Sequence, residues 1–274
     1  MSRSHRPVAA ALAAVACLAL PAGALASSPK KSPPNLSCEI TPTQLFYSGT
    51  YNNVTVPPGQ TCELSNATVR GNVTVQMAGS VTFENSGTVG GSLLVGQLGG
   101  ASEDTGWVID GGALANQAAG LTFQGTVHGI LANDTDTLAL GSATVDGSVV
   151  SNRGVFGGAV TSSVITGDLV INGTASTDPS IDSTWLIAGP QLDGSPQQID
   201  GNVILTNNQS TIFLFENHIK KNLVCQGNRP APFNSFEGIT NTVDGRSTGQ
   251  CATTNPVTGD QASAAEARAT RALR

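Results

Sequence analysis

The chain has 274 residues, among them 32 glycines, with 4% aromatic and only 12% charged residues, and 13 basic against 19 acidic side chains give a formal net charge of −6. An apolar content of 39% excludes a disordered chain, and the acidic balance excludes a basic nucleic-acid surface. Scarce charge also excludes a coiled coil or helical bundle, and glycine without a three-residue period excludes collagen.

Arg3, His5 and Arg6 precede an apolar run from Pro7 to Leu20, and Ala24-Leu25-Ala26 supplies a small-x-small cleavage signature. That order predicts a secretory signal peptide over residues 1–26, and hence a secreted, extracellular protein. A flexible segment over 27–37, a β-domain over 38–251 and a C-terminal tail over 252–274, disordered or a short helix, complete the expected organisation. No later stretch offers about 18 uninterrupted apolar residues, so no membrane span is predicted. Cys38, Cys62, Cys225 and Cys251 are even in number, and separations of 24 and 26 residues favour closure within each pair. Each loop is worth roughly 3 kcal/mol in the loop-entropy account. No close C-x-x-C pair suggests zinc.

Between the cysteine pairs a short pattern recurs: Thr68-Val69-Arg70-Gly71-Asn72-Val73, Thr88-Val89-Gly90-Gly91-Ser92-Leu93 and Thr144-Val145-Asp146-Gly147-Ser148-Val149 are the clearest copies. Val127, Ile165, Ile199, Ile219 and Val243 anchor others, at intervals close to 20 residues or twice that. The β-branched anchors suit buried strand positions. Glycine two places on suggests a corner of positive φ or close backbone approach. Val73, Leu93, Leu131, Val149, Leu169, Val203 and Leu223 then form a second predicted core column. Strand, corner and strand cannot bury an apolar side alone, so the copies must stack into an all-β parallel solenoid of about 8–10 turns. Two stretches break the period: an irregular turn with Trp107 is expected over 99–125, and an outward loop with Trp185, Pro190 and Pro196 over 175–197. Residues 38–66, with a degenerate copy from Tyr51 to Val56, and residues 225–251 are expected to cap the ends, because a bare sheet edge invites aggregation.

The stacked Val-x-Gly-Asn/Ser-Val units resemble right-handed parallel β-helix proteins of the pectate-lyase-like fold. The stretch from Asn222 to Pro232, followed by Val243-Asp244-Gly245 and Gly249-Gln250-Cys251, resembles the closing segment of a group of secreted bacterial proteins of unknown function. The resemblance implies handedness, secretion and a terminal disulfide, and brings no activity with it.

Polysaccharide lyases and hydrolases on that fold use clustered acidic residues with a basic proton acceptor, or Gly-His-Gly and Arg-Ile-Lys motifs. Here Val127-His128-Gly129 lacks the first glycine, and Arg-Ile-Lys is absent. The Asp134-Thr135-Asp136 triplet has calcium-ligand spacing but is also common in polar turns. The column after the anchor includes His128, Asp146, Asp200, Lys220 and Asp244, which reads as charges offset on adjacent rungs, as does His218 beside it. A rival reading places a lyase or hydrolase site on the face bearing His128, Asp146 and Asp168. The residues assign no catalytic, cofactor-binding or metal-ligating side chain, and the protein is expected to be a non-enzymatic extracellular or cell-surface protein with a structural or binding role.

Two further columns bear on partners. Asn72, Ser92, Ile130, Ser148, Asp168, Asn202 and Asn222 form a small hydrogen-bonding ladder, expected to pair internally. Thr74, Leu94, Ala132, Val150, Val170, Ile204 and Val224 form a column that strand alternation turns outward. A slip of parity at the glycine corner would turn it into the core instead. If exposed, the column calls for a cover: the tail from Gln261 to Leu273, another copy of the protein, or a polysaccharide or cell-wall component.

Overall fold

A computed structural model describes residues 32–39, 46–176, 183–189, 197–236 and 238–257. The predicted leader, residues 27–31 of the segment after it and the tail beyond Val257 lie outside the described residues, as do Pro190 and Pro196. From Pro33 onward the described residues form one compact unit. Every described element is a strand, and nearly every pairing is parallel between successive turns, so the chain is a parallel β-solenoid.

Each turn contributes to three walls. The first is an eleven-stranded sheet that runs from Leu36–Ser37 through Val73–Val75, Leu93–Val95 and Val149–Asn152 to Ser247–Gly249. The second carries Gly100–Glu103, Gly120–Phe123, Thr137–Gly141, Gly157–Thr161, Thr184–Ala188 and Thr211–Phe215. The third carries the anchors, in strands such as Trp107–Ile109, Thr144–Val145 and Gln197–Ile199. Two long early strands, Thr61–Val69 and Ser80–Val89, run through both the second and third walls and join them into one sheet. The inward columns of all three walls are buried, with Val69, Val89, Val127, Val145, Ile165, Ile199 and Ile219 fully so.

The glycine corner is a matter of close approach. Asn72 Oδ1 accepts the Ser92 backbone N–H at 2.8 Å, as Asn53 does for Asn72, Ser148 Oγ for Asp168 and Asn222 for Arg246. Each such side chain lies against the glycine one turn later: a Cβ on Gly91 would overlap Asn72 Oδ1 and stand 2.7 Å from the Gly71 carbonyl oxygen. Glycine and its small polar partner are therefore one device, and the ladder pairs internally as expected.

Four expectations need correction. The stretch over 99–125 contains a regular turn, with Ile109 in register between Val89 and Val127 and Ala113 between Leu93 and Ile130. Trp107 is wholly buried there, edge-on to Phe83 at 4.8 Å, and donates from Nε1 to the Glu84 carbonyl. Trp185 belongs to a second-wall strand rather than a loop, is wholly buried, and donates to Thr174 Oγ1 at 3.0 Å. At the turn after Val127 the corner is one residue shorter, so Ile130, not Leu131, takes the core position opposite Ala113 and Val149. The degenerate copy from Tyr51 to Val56 is a full rung, pairing with Val69 and with Val73–Val75.

Disulfides Cys38–Cys62 and Cys225–Cys251 tie the two ends, each with Cα atoms 5.4 Å apart. At the C-terminal end a small sheet of Ser235–Phe236, Ile239–Thr240 and Pro256–Val257 covers the last second-wall strand. Phe233 stacks on Phe213 and Phe236 tilts against Phe215.

Candidate functional site

The outer face of the first wall is a regular, eleven-stranded parallel surface. Strand alternation sends Leu93, Ala113, Ile130, Val149, Leu169, Val203 and Leu223 inward, where each is buried, and the next residue of each strand outward. The outward column therefore reads Leu94, Leu114, Leu131, Val150, Val170, Ile204 and Val224 on consecutive rungs, with Leu131 38% exposed and the other six half-buried. This settles the parity question in favour of an exposed stripe. Leu114 joins it, and Ala132, which is buried, leaves it for Leu131.

Polar ladders flank the stripe. Before each strand stand the capping residues, from Ser92 through Ser148 and Asp168 to Asn222. The shortened corner puts Gly129 where Ile130 was expected, next to Gly112 on the preceding rung. These two glycines leave a shallow depression of about 400 Å³ beside Leu94, Leu114 and Leu131, closed by Ser92 and Ser148. On the other side of the stripe Asn133 donates to Asn116, Asn152 to Asn133 and Thr206 to Asn172, all at 3.0–3.1 Å. Across stripe and ladders, from Ser92 to Gln226, the one charged side chain is Asp168, whose Oδ1 accepts from the Asn202 backbone and side-chain N–H groups.

The charged candidates lie elsewhere, on the corner after the third wall. His128 Nδ1 stands 3.6 Å from Asp146 Oδ2 with both side chains 65% exposed, and Thr166 donates to Asp146. Lys220 pairs with Asp200 at 2.8 Å, and His218 with Asp244 at 3.2 Å. The Lys220 hydrogen bond holds the Asp200 carboxyl below its ordinary pKa. His128 and Asp146 are thus together but open to solvent, while Asp168 belongs to the polar ladder of the first wall. Asp134 is held by Arg153, whose guanidinium bonds both its oxygens at 2.7 and 2.6 Å and lowers its pKa. Among the described residues no three His, Cys, Asp or Glu side chains group as a metal site.

One buried group was not foreseen. Glu103 ends a second-wall strand pointing inward, in register with Phe83 on the turn before. It is 1% exposed, and neither carboxyl oxygen has a hydrogen-bond partner. Burial pushes its pKa up to about 8, offset slightly by the nearby Gly125 backbone. A second depression, between the C-terminal cap and the solenoid, is lined by Asn234 and Asn241, whose amides are spent on the Thr253 and Leu214 carbonyls.

No family model matches the chain, and no match is found among curated proteins or solved structures. Among the described residues no helix is long and apolar enough to cross a membrane.

Proposed function

We propose that the protein is a secreted, non-enzymatic component of the extracellular space or cell surface, built on the right-handed β-helix architecture of the pectate-lyase-like kind, and that it works by docking through the flat stripe of its first wall. The observation that carries this reading is the stripe itself: seven aliphatic side chains on consecutive rungs, outward and uninterrupted by charge. Contiguous exposed apolar surface of this extent marks an interaction site on a soluble protein. Two disulfides and the leader-like first segment support an oxidising, extracellular location. The exposure of His128 and Asp146 supports the non-enzymatic part, since reactive pairs work in concave sites that enclose the substrate.

The purified protein, assayed with calcium on uronate-containing and neutral polysaccharides, is expected to cleave none. Cleavage that disappears in His128→Ala or Asp146→Ala would establish the lyase or hydrolase reading instead.

A further inference from the structure

Resting on the docking reading above, we infer that the stripe's partner is a second copy of this chain, bound face to face with the two solenoids antiparallel. A two-fold axis lying in the face and along the strands reverses the order of rungs while keeping each column opposite itself. With Val150 on the axis, Leu94 faces Val224 of the second copy, Leu114 faces Ile204 and Leu131 faces Val170. The column carries its three leucines on one half and its β-branched residues on the other, so every leucine meets a β-branched partner.

The flanking ladders obey the same rule. Gly112 and Gly129, which form the depression, face Asn202 and Asp168 of the second copy, the larger members of their column. On the far side Gly96 faces Gln226. Each glycine on one half thus receives a longer polar side chain from the other, which is the self-complementarity that an isologous contact requires. A parallel arrangement, with each rung opposite its own equivalent, would set leucine on leucine and bring Asp168 onto the rung of its own copy.

Charge favours the same occupant. The molecule is acidic overall, with net charge −6, yet this face holds one carboxylate among its three columns, so two copies meet there without the repulsion their other surfaces would impose. Seven rungs about 4.8 Å apart and three outward columns about 6.6 Å apart give a face of about 30 by 15 Å, roughly 450 Å² on each copy. About 900 Å² in all falls below the roughly 1,200 Å² of stable specific interfaces and in the range of weak, transient contacts, so the dimer is expected to be reversible, with a Kd of about 1–100 µM.

Sedimentation equilibrium of the full chain from about 1 to 500 µM tests this, with the Kd range above as the expected result. Val150→Asp places two carboxylates on the axis and is expected to weaken the dimer at least about 100-fold, with the circular dichroism unchanged because the position faces outward. Because facing sheets stand about 10 Å apart, a bismaleimide of about that span is expected to join Val150→Cys to itself, and Leu94→Cys to Val224→Cys but not to itself. A monomer throughout the range, a Val150→Asp protein that dimerises like the parent, or Leu94→Cys joined to itself would overturn the proposal. A monomer held by insoluble wall polysaccharide and released by Val150→Asp would also overturn it, assigning the face to a sugar surface while leaving the docking reading intact.

Discussion

At the residue scale, the recurring glycine owes its place to a neighbour's amide. Gly91 sits under Asn72, whose Oδ1 takes the Ser92 N–H, and an added methyl overlaps that oxygen and the Gly71 carbonyl. Gly91→Ala should therefore cost about 2 kcal/mol or more, and Asn72→Ala about 1–2 kcal/mol. In the double variant the costs should sum to less than the separate values, because removing Asn72 clears part of the overlap; strict additivity in urea denaturation would refute the coupling. Glu103 carries a different consequence. Its folded pKa, raised to about 8 from an ordinary 4.5, means that the folded state holds its proton more tightly than the unfolded chain. The stability from that proton is fully present below the ordinary value and is lost as pH rises to about 8. The urea midpoint should fall between about pH 5 and pH 9 in the parent, and this fall should be largely absent in Glu103→Gln. An identical slope in both proteins would show that Glu103 is not the group responsible.

At the scale of the single turn, the sequence shows most where the backbone is most constrained. Anchor, glycine and polar cap recur because one corner geometry demands all three, so the third and first walls were legible. The turn through Ile109 is hidden in the sequence because Val108 stands where the clearest copies carry threonine and Ala113 where they carry a larger residue. The slip at Leu131 escaped because one residue missing from a corner leaves the apolar pattern intact while reversing which side chain points inward. The second wall was least legible: its inward residues Phe83, Leu140, Ile187 and Leu214 precede their anchors by 6, 5, 12 and 5 residues, so no fixed spacing exposes them. Glu103 hides in that variable stretch. The stripe was visible as a column but not as a surface, since its orientation depends on the corner. If turns are equivalent units, one can be removed whole. Deleting 127–144 brings Val145 behind Thr126, where register already equates it with Val127. The shortened protein should keep its circular dichroism per residue and unfold cooperatively; a disordered product would show that the rungs are not interchangeable.

At the scale of the whole molecule, low charge and abundant glycine follow from stacking. Each outward position meets its own equivalent about 4.8 Å away, so a repeated charge would repel along an entire column. The structure tolerates charge where signs alternate, as in Lys220 with Asp200 and Arg153 with Asp134, and excludes it from the stripe. The disulfides also define how tension would travel through the rod. A pull on the chain ahead of Cys38 passes straight to Cys62, and one beyond Cys251 passes straight to Cys225. Residues 39–61 and 226–250, including the rung from Tyr51 to Val56, are bypassed, whereas the edge strands Leu36–Ser37 and Pro256–Val257 lie outside the cysteines and take the pull first. Those two strands therefore peel from the ends first, after which tension runs only through residues 62–225, the span between the two cysteine pairs.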